Sequence, residues 1–347
     1  MLMIRDILKN KNIDAIVITS AENLYYFSGF TGREGFLVLT PEKNYIIVDG
    51  RYTIQAKQQT KGFEVVEYKQ SAYKEIANLK FRNIGFEEKT ISYNSYSQLK
   101  NALENPSLTG ISYELDDIRK IKKEEEYSNI RRAEYIGDKA FEHILPFIKV
   151  GVTERQIALE LEYFMKKNGA SALSFDTIVA VGERSALPHA DVTDAPVENG
   201  KFVLMDYGCV YNGYCSDMTR TVAVGSADDR MKNIYHTVLK AQTEALKAIK
   251  PGVKNNEVDG VARKIISDAG YGENFSHSLG HGVGLEIHEA PTLSPRSTDA
   301  LQTGNVITVE PGIYVEGFGG VRIEDLVLVT ESGYENFTHS AKDLIIL

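Results

Sequence analysis

The segment Phe202–Thr221 combines a hairpin signal with two carboxylates in an apolar setting. Asn212-Gly213 separates two runs rich in β-forming residues, and this dipeptide favours a two-residue type I′ turn. Counting outward from that turn places Gly208 opposite Asp217. Because side chains alternate between the faces of a strand, Asp206 shares a face with Gly208 and hence with Asp217. The pattern predicts two carboxylates as diagonal neighbours, about 7 Å apart between backbone positions.

Two like charges on an apolar hairpin are unfavourable unless a positive charge lies between them. A divalent metal ion would supply that charge. The hairpin alone is equally compatible with a plainer alternative, in which Asp206 faces solvent at a strand end and Asp217 begins a turn. A second hairpin, further along the chain, favours the metal site.

The second carboxylate pair lies in residues 306–329, where two apolar runs flank a glycine-rich turn. Glu310 and Glu324 each interrupt an apolar strand, where an ionised carboxylate would be buried. Pro311 belongs at a strand end, edge or bulge, and such a kink can direct the neighbouring carboxylate inward. The long turn leaves the register of this hairpin open. Arg322 and Glu324, two positions apart, share a face.

Histidines cluster between the two hairpins. Of the seven histidines, His277, His281 and His288 fall within twelve positions amid glycines, and His189 precedes the first hairpin. The spacing lacks the second histidine of a zincin helix and the third glycine of a dinucleotide fingerprint. There is no G-x-S-x-G elbow, and neither cysteine has the setting of a catalytic nucleophile. Four carboxylates with a histidine favour a two-metal hydrolytic centre that binds Mn²⁺, Co²⁺ or Zn²⁺.

The length of 347 residues favours two domains, and we place the boundary near residue 120, giving domains 1–120 and 121–347. Short apolar runs alternate with helical patterns in the first domain, which predicts an α/β layer. The predicted strands are Ala15–Ile18, Phe36–Leu39, Tyr45–Val48 and Val65–Tyr68, and the predicted helices between them are Tyr52–Gln59 and Tyr73–Leu79.

The second domain opens with a charged stretch, residues 116–149, whose apolar residues recur at helical spacing and predict one long helix or a helix pair. Thr153 is predicted as the N-cap of a helix ending at Gly169. Another helix is predicted over 231–249. The turn Lys149–Thr153 is echoed by Lys250–Lys254, each between helical stretches, which hints at an internal duplication.

Composition excludes several classes of function. The formal charge of −9 repels phosphate backbones, so we expect no nucleic-acid partner. Cys209 and Cys215 are too few for a disulfide framework. Charges within residues 1–10 interrupt the apolar core that a signal peptide needs, and no later run approaches a membrane span. We expect a cytoplasmic protein with no membrane association.

Five motifs, in order, resemble those of the pita-bread metallopeptidases, and within them of aminopeptidase P and prolidase, which cleave the bond before proline. The motifs are LMDYG with Asp206, CSDMTRT with Asp217, HSLGHGVGLEIHE with His277, His281 and His288, TVEPGIY with Glu310, and VRIEDLVLV with Glu324. The resemblance covers residue 125 to the end. Gly29–Gly32 and Asp49–Tyr52 are weaker echoes of the creatinase-type N-terminal domain. The implied fold class is α+β, a C-terminal pita-bread domain with an N-terminal α/β creatinase-type domain.

The resemblance implies two divalent metal ions, with Mn²⁺ as first choice and Co²⁺ or Zn²⁺ as alternatives. The implied ligands are Asp206, Asp217, His281, Glu310 and Glu324, with Asp217 and Glu324 bridging. A hydroxide between the metals would attack the peptide carbonyl and Glu310 would act as general base. His288 and His189 would bind the substrate carbonyl and the developing oxyanion, and His277 would line the proline side. Tyr314 would support the ligands, and Arg322 would either support the carboxylates or meet a substrate carboxylate. Substrates would be proline-containing peptides or dipeptides, and the family often forms homodimers.

Several alternatives share this fold. Creatinase hydrolyses a C–N bond without metal, but it lacks the full carboxylate set present here. Methionine aminopeptidase shares the five ligands but usually lacks an N-terminal domain of this size. A histone-chaperone relative is a peptide-binding module that has lost its ligands. Prolidase, which cuts dipeptides, and aminopeptidase P, which trims longer chains, share every ligand, so the choice between them stays open.

Overall fold

The computed structural model describes residues 2–347 and forms two compact units, one ending at Ile118 and the other spanning Arg119–Leu347. The boundary expected from the sequence lies two residues beyond this division. Among the described residues, no helix combines the length and apolar character needed to cross a membrane.

The first unit is a six-stranded mixed sheet in the order β4-β3-β2-β1-β5-β6. Its strands are β1 (Ala15–Ile18), β2 (Phe36–Leu39), β3 (Asn44–Val48), β4 (Phe63–Glu67), β5 (Asn83–Phe86) and β6 (Ser107–Gly110). Its helices are α1 (Leu2–Asn10), α2 (Ala21–Ser28), α3 (Thr53–Gln59), α4 (Ala72–Asn78), α5 (Tyr93–Ala102) and α6 (Ser112–Lys120), whose last two residues belong to the second unit.

Alternate residues of this sheet enter two separate cores. Ile16 and Ile18 pack in one cluster, while Ala15 and Val17 pack in the other. Both faces are therefore buried, which explains why the strands appear in the sequence as continuous apolar runs. The predicted strands β1 and β2 are confirmed residue for residue. Tyr68, predicted as the end of β4, lies just outside it.

Four α-helices of the second unit form two pairs. They are α7 (Glu124–Ile144), α8 (Glu154–Lys167), α9 (Asp229–Ala248) and α10 (Asn255–Asp268), with 3₁₀ turns at Leu145–Phe147, Gly182–Ala186 and Gly272–Asn274. The stretch 116–149 contains the end of α6 and all of α7, so it is two successive helices rather than one. Thr153 caps α8 as predicted, since its side chain accepts from Gln156 N.

The turns that join the two helix pairs are hydrogen-bonded alike. Gly151-Val152 exchanges two backbone hydrogen bonds with Val197, and Gly252-Val253 exchanges two with Leu301. The duplication that the sequence hinted at is therefore a structural repeat. Each helix pair is followed along the chain by a hairpin that carries two of the predicted carboxylates. We call these hairpins the first strand pair (residues 201–224) and the second strand pair (residues 306–329).

The strands of the second unit form four small sheets, ordered β11-β10-β7, β12-β9-β8, β14-β13-β15-β18-β19 and β16-β17. They are β7 (Ala172–Leu173), β8 (Ile178–Val181), β9 (Lys201–Tyr207), β10 (Cys209–Tyr211), β11 (Tyr214–Cys215), β12 (Met218–Val224), β13 (Gly280–Gly282), β14 (Glu289–Leu293), β15 (Val306–Val309), β16 (Gly312–Val315), β17 (Gly319–Arg322), β18 (Asp325–Val329) and β19 (Tyr334–Asn336).

The first hairpin has the predicted register. Asn212 and Gly213 have positive φ angles of 48° and 83°, as a type I′ turn requires. Beside the turn Val210 pairs with Cys215, and the same register continues where Asp206 pairs with Thr219.

Candidate active site

One cavity of about 520 Å³ in the second unit brings the predicted site residues together. Its walls contain the five predicted ligands, namely Asp206, Asp217, His281, Glu310 and Glu324, together with His189, His277, His288 and Arg322. Tyr314 does not line the cavity but hydrogen-bonds to residues that do.

The first strand pair contributes Asp206 from the end of β9 and Asp217 from the gap before β12. Gly208 lies opposite Asp217 in the hairpin, and a Cβ atom at Gly208 would stand 2.0 Å from the carbonyl oxygen of Ser216. Only glycine therefore fits at this position. Glu134 holds the backbone of Asp217, since its Oε2 accepts a hydrogen bond from the Asp217 amide at 3.2 Å.

The second strand pair contributes Glu310 and Glu324, and its structure resolves the register that the sequence left open. Val309 pairs with Asp325 between β15 and β18, and the same register resumes where Gly312 pairs with Arg322 between β16 and β17. Glu310 and Glu324 therefore stand opposite each other in an interruption of one long hairpin. Pro311 lies in that interruption, at the strand end where the sequence predicted it.

His281 points its Nε2 atom at carboxylates from both strand pairs. The distances are 3.5 Å to Asp217 Oδ2 and 3.4 Å to Glu310 Oε1. Its Nδ1 lies 3.1 Å from the carbonyl oxygen of Gly282, so Nδ1 carries the proton and Nε2 presents a lone pair. Burial, together with the neighbouring His288, lowers the pKa of His281 to about 4, which keeps the ring neutral.

The carboxylates repel one another. Burial and the nearby Glu324 raise the pKa of Asp217 well above its usual value, and burial with Glu310 does the same to the pKa of Glu324. Burial raises the pKa of Glu310 to about 8. In the protein without metal, this cluster therefore disfavours full ionisation.

Arg322 is the buried cation of the site, with 3% of its surface exposed. Its Nη2 donates to Asp206 Oδ2 at 2.5 Å, its Nε donates to Thr219 Oγ1 at 3.0 Å, and its Nη1 donates to Tyr314 Oη at 2.8 Å. One guanidinium thus orients a predicted ligand from the first strand pair and connects it to the second, through its planar set of donors.

Tyr314, which accepts from Arg322, in turn orients the ring of His277. His277 Nδ1 lies 2.8 Å from the carbonyl oxygen of Ser278, so Nδ1 carries the proton and Nε2 accepts from Tyr314 Oη at 2.8 Å. Burial and Arg322 lower the pKa of His277 to about 4. His277 is therefore a neutral ring of fixed orientation at one wall of the cavity.

His288 and His189 reach the cavity from separate loops. The ring of His288 lies 4.4 Å from that of His281, centroid to centroid, in an edge-on arrangement. Burial and, to a smaller extent, the neighbouring His189 lower the pKa of His288. His189 is exposed to solvent and lines the same cavity, in the loop after the 3₁₀ turn Gly182–Ala186. An imidazole N–H at either place can donate a hydrogen bond to a carbonyl oxygen.

Two threonines that the sequence analysis missed orient the carboxylates. Thr219 Oγ1 donates to Glu324 Oε2 at 2.7 Å, and Thr308 Oγ1 donates to Glu310 Oε1 at 3.2 Å. Both lie two positions from a predicted ligand, so the period of two along a strand would have found them. The sequence analysis also missed the apolar wall formed by Phe175 and Ile178, for which no motif gave a signal.

The donor set fits a divalent metal ion. Ligand atoms of Asp217, His281 and Glu324 lie within 4.8 Å of one another. Oδ1 of Asp206 is buried and lacks a hydrogen-bond partner within the described part of the chain, although such atoms are normally satisfied. A neutral imidazole lone pair facing carboxylates is the arrangement that a bound cation stabilises.

The fold and this site define a metallopeptidase, and the chain belongs to metallopeptidase family M24. The model of that family matches residues 128–331, and the model of the creatinase/prolidase N-terminal domain matches residues 2–121. Membership implies divalent metal ions. The family and the two-domain α+β fold class expected from the sequence are confirmed.

Relatives named for two different activities, Xaa-Pro dipeptidase and X-Pro aminopeptidase, match nearly the whole chain. An Xaa-Pro dipeptidase of Pyrococcus furiosus is 42% identical over 345 residues, 96% of this chain and 96% of the relative. A solved structure titled Xaa-Pro dipeptidase from Bacillus anthracis is 44% identical with a TM-score of 0.97, covering 100% of this chain and 98% of that one. An X-Pro aminopeptidase structure from Thermotoga maritima is 41% identical with a TM-score of 0.90, covering 98% of this chain and 99% of that one.

Proposed function

We propose that this protein is an Xaa-Pro metallopeptidase that binds two divalent metal ions and hydrolyses the peptide bond before proline with water as the nucleophile. The observation that carries the proposal is the convergence of Asp206, Asp217, His281, Glu310 and Glu324 on one cavity. The names of the relatives supply the substrate class.

The five convergent residues would hold the metal ions. When bound, such ions supply Lewis-acid polarisation of a carbonyl and lower the pKa of water. Arg322 donates to Asp206 and Thr219 donates to Glu324, so both carboxylates are oriented before a metal arrives. Groups that fix ligand orientation in this way maintain metal affinity.

The side chains around the ligands would act on the peptide. Glu310 takes a proton from the attacking water at its carboxylate and passes it to the leaving proline nitrogen. His288 and His189 donate hydrogen bonds to the scissile carbonyl oxygen, where charge develops. His277, held by Tyr314, lines the side of the cavity that receives proline.

Two alternative functions lose support from this geometry. In a creatinase-like reaction without metal, no bound cation would offset the mutual repulsion of Asp217, Glu310 and Glu324. A non-catalytic peptide-binding module has no need for the donor set of His281 with these carboxylates. The aminopeptidase P and prolidase activities both fit the same cavity.

Cleavage of a matched peptide set tests the proposal. The protein is stripped with chelator, reloaded with Mn²⁺, and incubated with Ala-Pro, Ala-Pro-Ala, a longer Xaa-Pro peptide and the control Ala-Ala-Ala, with products followed by mass spectrometry. We expect cleavage before proline only. Cleavage of Ala-Pro alone identifies a prolidase, and release of the first residue from the longer peptides identifies an aminopeptidase P. No cleavage with Mn²⁺, Co²⁺ or Zn²⁺ would refute the proposal.

We propose Mn²⁺ as the metal because oxygen donors dominate the site. Both cysteines are buried and neither is in a disulfide, which supports a reducing, cytoplasmic environment. A homodimer is proposed on the family resemblance. Metal analysis of protein purified without added metal, and light scattering for its mass, test the first and last of these expectations.

A further inference from the structure

The segment that carries His288 lies between strands β13 and β14 and has no regular secondary structure. The backbone hydrogen bonds of residues 283–288 are few and lie at the start of the segment: Val283 N donates to Val306 O at 3.1 Å, Cys215 N donates to Gly284 O at 2.8 Å, and Gly284 N donates to Glu286 O at 3.0 Å. A loop with so few backbone hydrogen bonds needs other contacts to hold a side chain in one place. Those contacts come from Glu286 and Glu289, which stand on either side of His288.

Two buried cations bind these carboxylates. Arg119 Nη2 forms an ion pair with Glu286 and lies 3.5 Å from Glu289 Oε2, while Lys122 Nζ lies 2.5 Å from Glu289 Oε1. The side chains of Arg119, Lys122 and Glu289 are 4%, 1% and 5% exposed. Solvent therefore screens the Lys122–Glu289 pair only weakly, whereas the Glu286 side chain is 39% exposed.

The cations are anchored independently of the loop. Lys122 N donates to Gly304 O at 2.8 Å, and Asn305 Nδ2 donates to Lys120 O at 3.1 Å. The residues that hold the loop are thus attached to the turn before β15. On the loop itself, a Cβ atom at Gly284 would stand 2.4 Å from Glu289 Oε1, so glycine is required for that carboxylate to reach Lys122.

We propose that Arg119 and Lys122 are positioning residues that set the place of His288 in the active site by holding Glu286 and Glu289. The stability of the fold does not require these ion pairs, because apolar side chains of similar volume often stabilise a buried position as well as an ion pair does. The inference rests on the proposed function, in that the place of His288 matters for a hydrogen bond to the substrate carbonyl.

A double-mutant cycle tests the coupling to His288. In the Mn²⁺-loaded protein, Lys122→Met is expected to lower kcat about tenfold, the smaller effect typical of an orienting partner, with KM and metal content unchanged. In the His288→Ala background, the same substitution is expected to lower kcat no further, because the group it positions is gone. Multiplicative losses, or an unchanged kcat in Lys122→Met, would overturn the proposal.

A second readout does not depend on peptide cleavage. In Zn²⁺-loaded protein, the ring resonances of His288, assigned by their loss in His288→Ala, are expected to shift or broaden in Lys122→Met. Lys264→Met, the same substitution in the exposed Lys264–Asp268 pair, should leave them unchanged. An unmoved His288 resonance in Lys122→Met refutes the positioning role. Absence of Xaa-Pro cleavage by the unmodified protein refutes the proposed function, and the resonance still decides the inference.

Removal of one partner can unfold a protein by leaving a buried charge unpaired. Lys122→Met combined with Glu289→Gln removes both charges of that pair and provides a second variant. If Lys122→Met does not fold by circular dichroism, the cycle and the resonance measurement are made with this double variant. The same loss of kcat, absent in the His288→Ala background, supports the proposal, and full activity of the double variant overturns it.

Discussion

In both strand pairs that carry the site, the ladder of backbone hydrogen bonds is interrupted beside a carboxylate, but different residues lie at the two interruptions. In the first, a two-residue turn at Asn212-Gly213 connects the strands, and Gly208 allows the close approach of the Ser216 carbonyl beside Asp217. In the second, a three-residue turn at 316–318 connects the strands, and Pro311 marks the interruption beside Glu310. Each pair keeps a single register on both sides of its interruption.

The comparison indicates what the carboxylates need. Asp206 reaches the cavity from within the regular β9 ladder, whereas Asp217, Glu310 and Glu324 lie at breaks, where the backbone can turn a carboxylate into the cavity. A residue without a side chain creates the break in one pair, and a residue without an amide hydrogen accompanies it in the other. The repeat therefore preserves the position of the carboxylates while the residues beside them differ.

The two positions proposed to bridge the metal ions should respond alike to loss of charge, and this is the largest effect we expect. Asp217→Asn in the first pair and Glu324→Gln in the second should each abolish both bound metal and Xaa-Pro cleavage, because each removes an anionic ligand. Metal content by mass spectrometry and cleavage of Ala-Pro-Ala measure this. Asp268→Asn, at an exposed ion pair, is the control, and an active, fully metallated Asp217→Asn protein would contradict the ligand assignment.

Metal removal should make stability depend strongly on pH through carboxylates of both pairs. Burial raises the pKa of Glu310 to about 8 and raises the pKa of Asp217 and Glu324. A raised pKa means that the folded chain retains protons that the unfolded chain releases, so these carboxylates lower stability as pH rises. Below about pH 6.5 the lowered pKa of His277 and of His281 has the opposite effect. The stability of the metal-free protein is therefore expected to fall between about pH 6.5 and about pH 8.

Thermal unfolding of chelator-treated protein between about pH 6.5 and 8.5 measures this dependence. Added Mn²⁺ should restore the melting temperature most at the high end of the range, since metal displaces the protons. A metal-free protein whose melting temperature rises with pH over this interval would contradict the prediction.

The threonine hydroxyls allow a smaller and more specific comparison. Thr219→Val and Thr308→Val should each weaken metal binding about 10- to 100-fold, as loss of a group that orients a ligand does. The Thr219 effect should be the larger, because its bond to Glu324 is shorter and it also accepts from Arg322. Metal titration measures both, and Thr219→Ser and Thr308→Ser, which keep the hydroxyl, should bind nearly normally. Equal binding by the valine and serine variants would argue against the role of the hydroxyls.

The turns should matter least. Gly213 and Gly317 have φ angles of 83° and 69°, so alanine at either is expected to cost about 1 kcal/mol of folding stability. Metal stoichiometry should stay unchanged in both variants, because the ladders on each side of the carboxylates hold them in place. Urea denaturation and metal analysis test this. Loss of metal in Gly213→Ala alone would mean that the first pair depends on its turn.

Local signals in the sequence predicted much of this molecule. The Asn212-Gly213 turn predicted the register that brings Asp206 and Asp217 to one side, and Thr153 was correctly identified as a helix cap. Turn type and capping depend on neighbouring residues, so a single sequence contains them. The register of the second pair was not predictable, since a longer glycine-rich turn has many conformations of similar energy.

By itself the sequence determined the two carboxylate pairs, the histidines between them and the family to which the chain belongs. Only the tertiary structure decided which distant groups orient them: Arg322 reaches Asp206 across 116 positions, and Lys122 reaches Glu289 across 167. A hydrogen bond or ion pair between such positions leaves no periodic pattern in the chain. It forms because the folded chain brings the two positions together, and packing then selects which polar side chains are buried side by side.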